Sequence, residues 1–188
     1  MRLGSLTDVP PEQRRPLKRV EYDKLAEIGA FGEEKIELLY GAILRKSPIG
    51  APHSSALQRL NELLVLALHG HATIRIQSPF AASDTSEPEP DAAVVPPGRY
   101  ADAHPSQAWL LVEVADSSLA VDRGVKARLY AECGIPEYWV VNLVDGLIEV
   151  HTSIVRGVYT RTVPFKKGES IRLQQFGDVQ IAVDDVLP

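Results

Sequence analysis

Two runs, Ala108–Val114 (Ala-Trp-Leu-Leu-Val-Glu-Val) and Glu137–Leu143 (Glu-Tyr-Trp-Val-Val-Asn-Leu), constrain this chain more than any other feature. Each is apolar almost without alternation, the pattern of a strand covered on both faces. Between them Val121, Val125, Leu129 and Cys133 recur every four residues, and Gly134 and Pro136 close the stretch. That spacing predicts a helix. Strand, helix and strand of this kind imply an α/β domain built on a mixed sheet flanked by helices.

The remaining segments extend the pattern. Val20–Ile28 has helical offsets and stops at Gly29, and Lys35–Leu39 with Ala42–Lys46 reads as an N-terminal hairpin about Tyr40-Gly41. Ser54–His69 is the clearest helix, with leucines at positions 57, 60, 63, 64 and 68. Thr73–Gln77 and Ala92–Val95 read as strands on either side of an acidic, proline-broken loop, Asp84–Asp91. Leu147–Thr152, Val158–Val163 and Ser170–Leu173 suggest a C-terminal β meander. Residues 1–19, with three prolines and five basic side chains, are expected as an extended arm, and residues 20–188 as a single domain.

Several function classes lack their signatures. The chain has no phosphate-binding GxxxxGK[ST], no dinucleotide GxGxxG and no hydrolase GxSxG. Its single cysteine, Cys133, and scattered histidines argue against a structural zinc site. No run reaches the roughly 18 apolar residues that span a bilayer. The first residues have no signal-peptide core either, so a cytoplasmic protein without a membrane partner is expected. With 20 basic and 25 acidic side chains, the net charge of −5 disfavours binding nucleic acid by bulk charge. It leaves room for a divalent metal held by carboxylates.

The acids worth weighing are few. Glu113 interrupts an otherwise apolar strand, where an ionised carboxylate is costly unless a cation or donors compensate it. The plainer reading pairs it with an arginine or turns it outward. Asp91 opens the strand Ala92–Val95 and, taken alone, is an ordinary strand-start aspartate. The 12-residue link Pro96–Gln107 lacks a helical pattern and suits an antiparallel pair. That pairing would bring Asp91 beside Glu113, on strands about 4.8 Å apart. Two such carboxylates can hold one Mg²⁺ at about 2.0–2.1 Å.

Lys126 falls one to two turns into the following helix, which packs back over the Glu113 strand. Arg123, Lys126 and Tyr130 share one face of it by spacing, with Val121, Val125 and Leu129 on the adjacent buried face. Glu37 adds a third carboxylate if its hairpin strand turns inward, although alternation equally permits the outward face. His53, just before the long helix, and Arg123 are candidate substrate contacts.

The segments Lys35-Ile-Glu-Leu-Leu-Tyr-Gly41, Pro90-Asp-Ala-Ala-Val-Val95, Leu111-Val-Glu-Val114 and Lys126-Ala-Arg-Leu-Tyr130, with Gly134-Ile-Pro-Glu-Tyr-Trp-Val-Val141, resemble the Uma-type restriction endonuclease family of the PD-(D/E)XK nuclease superfamily. The likeness runs over about residues 20–150. It implies a restriction-endonuclease-like αβββαβ core and a site using Mg²⁺ or Mn²⁺. By position Asp91 matches the aspartate of the Pro-Asp motif, Glu113 the acid of the second half-motif, and Glu37 the glutamate of the early hairpin. His53 matches a histidine before the long helix. The superfamily pattern places a lysine two residues after the acid, where this chain has Ala115; in the family it stands on the next helix, where Lys126 matches. A serine common at position 115 is also missing, which removes one possible hydrogen bond.

The expected function is therefore a metal-dependent endonuclease that hydrolyses DNA with a metal-activated water. Asp91, Glu113 and Glu37 are its candidate metal ligands and Lys126 its electrostatic catalyst. Cutting two strands calls for two sites, so a homodimer is expected. The alternative is a catalytically silent nuclease-like domain that binds DNA or protein. A two-carboxylate glycosidase is weaker, since 6% aromatic content leaves little for stacking sugars.

Overall fold

The computed structural model describes Pro10 and residues 13–188, so most of the expected arm (residues 1–9, 11 and 12) lies outside the described residues. The described end of that segment rests on the hairpin turn. Leu17 donates its amide to the Gly41 carbonyl at 3.0 Å. Gly41 has φ +77°, and a Cβ there would meet the Cβ of Pro16 at 2.3 Å, so both backbone and neighbour require glycine.

Helix α1 (Arg19–Glu27) comes next, with the Lys18 amide held by the Glu21 carboxylate at 3.0 Å. The hairpin β1 (Ile36–Leu39) and β2 (Ala42–Arg45) stands apart as a two-stranded sheet. Helix α2 (Ala51–Ala67) begins three residues earlier than its leucines predict, because Pro52 is well tolerated in a first turn. Strands β3 (Thr73–Ile76), β4 (Ala92–Val95) and β5 (Leu110–Ala115) follow. After them come a short α3 (Leu119–Val121), a π-helical turn (Asp122–Lys126) and α4 (Ala127–Glu132). The chain then continues through β6 (Glu137–Asn142), β7 (Leu147–Val155) and β8 (Val158–Lys166). It ends in β9 (Ser170–Arg172), β10 (Gln180–Ala182) and α5 (Val183–Val186).

Strands β3 to β8 form one six-stranded sheet in chain order. Its single parallel pair is β5 with β6, joined by the intervening helix; the other neighbours are antiparallel. This is the mixed α/β sheet expected from the sequence. Both faces of β5 are covered. Val112 and Val114 pack with Leu60 and Leu64 of α2, whereas Leu111 and Ala115 pack with Leu129 and Tyr130 of α4. Glu113 shares the second face. The meander differs in extent: β7 and β8 are nine residues each and belong to the main sheet, and only β9 leaves it to pair with β10. No helix among the described residues is long and apolar enough to cross a membrane.

The segment after β5 departs from expectation. A single α-helix would bury Val121, Val125 and Leu129 together, yet Val125 is 41% exposed. The π-helical turn explains this. Its i→i+5 bonding interrupts the regular helix, and there Lys126 is buried while Val125 is left toward solvent.

Candidate active site

The register of β4 against β5, with Ala92 opposite Val112 and Ala93 opposite Leu111, carries Asp91 to the neighbourhood of Glu113. The Val114 amide donates to Asp91 Oδ2 at 2.8 Å, which fixes the carboxylate at the end of β5. His53 Nε2 donates to the same oxygen at 3.1 Å, and Gln77 Nε2 reaches Oδ1 at 3.3 Å. Glu113 receives two donors on one oxygen: Lys126 Nζ at 3.0 Å and the Tyr130 hydroxyl at 2.6 Å.

Lys126 is the hub of the cluster. Its ammonium lies 3.0 Å from Glu113, 3.1 Å from Glu37 and 3.9 Å from Asp122. These three carboxyls come from β5, β1 and the π-helical turn, Asp91 comes from the loop before β4, and all four residues are buried. Glu37 therefore faces inward, where it also accepts the Glu89 amide at 3.2 Å. A cleft of about 180 Å³ opens on the group; Ser47, His53, Asp91, Glu113, Asp122 and Lys126 are among its walls.

The electrostatics follow from crowding. Burial pushes the Glu113 carboxyl up to about 8; Lys126 pulls against this, while Asp122, Asp91 and Glu37 add to it. Burial alone would lower the Lys126 ammonium, but Glu113, Glu37 and Asp122 overcome it and hold the lysine protonated well above its ordinary range. Asp122 is raised by burial against the pull of Lys126. Asp91 goes the other way. Burial works to raise it, but the hydrogen bonds from His53 and Val114 and the charges of His53 and Lys46 leave it lowered.

Five of the six candidate residues thus converge: Glu37, Asp91, Glu113, Lys126 and His53. His53 lies in the first turn of α2 rather than before the helix, because the helix starts at Ala51. Arg123 does not join them. Its guanidinium is bonded to Glu149 and Asp145, and it does not line the cleft, because the π-helical turn rotates it off the Lys126 face. Ala115 is fully buried in the apolar layer beneath α4. Sequence reasoning missed Asp122 and the donation from Tyr130 to Glu113. The signal was the four-residue spacing Asp122, Lys126, Tyr130, one position along from the apolar residues.

A divalent cation suits this donor set in kind. Carboxylate oxygens are the ligands Mg²⁺ and Mn²⁺ take, and four buried carboxyls, three of them sharing the Lys126 ammonium and Asp91 beside His53, leave negative charge for a cation to balance. In position the set is arranged about the lysine: among the described residues no three His, Cys, Asp or Glu side chains already stand as a metal-holding group.

A family model described as "Uma2: Putative restriction endonuclease" matches residues 19–184. The fold is also similar to the crystal structure of a protein from Anabaena variabilis described as a putative nuclease belonging to DUF820. The TM-score is 0.73 at 16% sequence identity, covering 91% of this chain and 97% of that one. No curated protein matches the chain in sequence.

Proposed function

The chain belongs to the Uma2 family, and from that footing we propose that it is a divalent-metal-dependent endonuclease acting on DNA. The observation that carries the reading is the convergence of Asp91, Glu113, Glu37 and Lys126 on one cleft from four separate elements. Asp91 and Glu113 would hold Mg²⁺ or Mn²⁺, with Glu37 as a further ligand. The metal would offset charge developing on the phosphate and acidify the attacking water.

The protein's own groups do the rest. Asp91 is kept ionised by its donors, so one anionic ligand is ready at neutral pH. Tyr130 and Lys126 grip one oxygen of Glu113 and hold that carboxylate against rotation. The permanently charged Lys126 can stabilise negative charge as it forms on the phosphate. His53 Nδ1, buried and without a hydrogen-bond partner, is a spare donor or acceptor at the cleft wall.

The test is incubation of plasmid DNA with the purified protein and Mg²⁺ or Mn²⁺. The expected result is cleavage that falls on the order of 10²- to 10³-fold in Asp91→Ala and Lys126→Ala. Cleavage no greater than in those variants overturns the proposal. One observation favours the rival reading of a silent nuclease-like domain: the ammonium itself sits between the carboxyls. Calorimetry with Mn²⁺ separates the two, since a silent domain shows no Mn²⁺ binding that depends on Asp91 and Glu113.

A further inference from the structure

We infer that Arg123 is a positioning residue: clamped to Glu149 of β7, it fixes the π-helical turn that presents Asp122 and Lys126 to the cleft. The inference rests on the nuclease reading of that cleft. A π-helical turn is less favourable than the α-helix it interrupts, so something outside it must hold it in place. Arg123 Nε donates to both oxygens of Glu149, at 3.0 and 2.9 Å, and Nη2 donates to Glu149 and to Asp145, the latter at 3.2 Å. A guanidinium engaged at two points on one carboxylate is fixed in orientation as well as distance, which a lysine cannot reproduce.

The anchor is itself rigid. Glu149 is buried in the sheet, and Asn142 of β6, fully buried, donates to Glu149 at 3.0 Å and to Asp145 at 2.8 Å. The Asp145 amide returns a bond to Asn142 at 2.9 Å. A second tether reaches the same turn from β6, where the Tyr138 hydroxyl donates to the Asp122 carbonyl at 3.1 Å. Ser118 then orients the Asp122 carboxyl at 2.6 Å. The turn is therefore pinned to β6 and β7 on one side, while Asp122 and Lys126, four residues apart, face Glu113 and Glu37 on the other. A slip of the turn displaces both groups at once. Arg123 is engaged by two acids outside the cleft and does not line it.

The experiment compares Arg123→Ala, Glu149→Ala and the double variant, with Arg123→Lys as a milder change should the alanine variant not fold. Plasmid cleavage with Mn²⁺ is measured well below each melting temperature, and hydrogen exchange of residues 122–127 is measured without metal or DNA. The expected result is a kcat lowered on the order of 10- to 10²-fold in each single variant, with KM changed less than about twofold and the double no worse than either single. Exchange in the turn quickens in all of them. Unchanged exchange overturns the inference, as does a raised KM at unchanged kcat in Arg123→Ala, which would make Arg123 a substrate contact. If the wild-type protein cleaves nothing yet exchange quickens in both single variants, the nuclease reading falls and the clamp stands.

Discussion

Glu113 and Glu87 are equally hidden glutamates, 3% and 4% exposed, and burial raises both carboxyls, to about 8 and about 7. Their surroundings separate them. Glu87 stands between β1 and α1, beside a second acid, Asp23, and with one cation, the Arg19 guanidinium 3.7 Å away, and its Oε2 makes no hydrogen bond. Glu113 is one of three carboxyls, from β1, β5 and the π-helical turn, that share a single ammonium, and Asp91 stands close by on the Val114 amide. Burial with a raised carboxyl is therefore not what marks the site, since the fold tolerates it at Glu87. The mark is surplus: one cation would satisfy one buried acid, and packing alone gives no reason to bring two more to the same ammonium.

The sharpest break of this comparison is to remove each cation. Lys126→Ala leaves Glu113, Glu37 and Asp122 buried without a countercharge, and should cost about 3–5 kcal/mol in urea unfolding. The loss should shrink in acid, where the carboxyls protonate. Arg19 is one-third exposed and held only at 3.7 Å, so Arg19→Ala should cost less than about 1 kcal/mol. Equal losses would mean that both clusters are ordinary buried ion pairs.

Neutralising the glutamates separates chemistry from burial. Glu113→Gln keeps shape and volume but removes a metal-holding charge, and should lower Mn²⁺-dependent plasmid cleavage on the order of 10²-fold. Glu87→Gln should leave cleavage within about twofold, since Glu87 does not line the cleft. If both fall alike, Glu113 and Glu87 do not differ in role.

How far this cleft is legible in the sequence depends on which periodicity carries each residue. Asp91 and Glu113 are legible because strand period and link length are robust, and they imply the antiparallel β4–β5 pairing that the structure has. Glu37 was ambiguous because alternation reports only one-sided strands, and β1 is buried at every position. Arg123 was misplaced because its spacing from Lys126 assumes 3.6 residues per turn, while the π-helical turn has its own period. Nothing in the local sequence marks that turn; its tethers to Glu149 and Tyr138 are contacts between distant residues. Lys126 itself was placed by helical spacing together with the family resemblance.

The hydroxyls beside each glutamate give a smaller contrast. Tyr130 donates to Glu113 at 2.6 Å within a fully buried setting, and Tyr130→Phe should cost about 1–3 kcal/mol, as for a buried acceptor deprived of a donor. Tyr22, near Glu87, donates only to the Ile36 carbonyl at 3.3 Å, and Tyr22→Phe should cost about 0.5 kcal/mol. Thermal or urea unfolding of the two variants side by side reads the difference.

The smallest effect is the pH dependence of stability that Glu87 adds. Its carboxyl is raised from an ordinary 4.5 to about 7, by burial first and then by Asp23, against the pull of Arg19. In that window the native state keeps a proton that the unfolded chain releases, so Glu87 makes stability fall as pH rises. Its contribution is fully present below the unfolded value and lost once pH passes the folded one. Between about pH 5 and about pH 8 the wild-type protein should lose more unfolding free energy than Glu87→Gln, whose amide does not titrate. The cleft groups titrate in both proteins and cancel in the difference, which isolates Glu87. Identical pH profiles would show that Glu87 is ionised in the native state, with Arg19 a fuller partner than 3.7 Å allows, and the contrast with Glu113 would narrow to the number of acids alone.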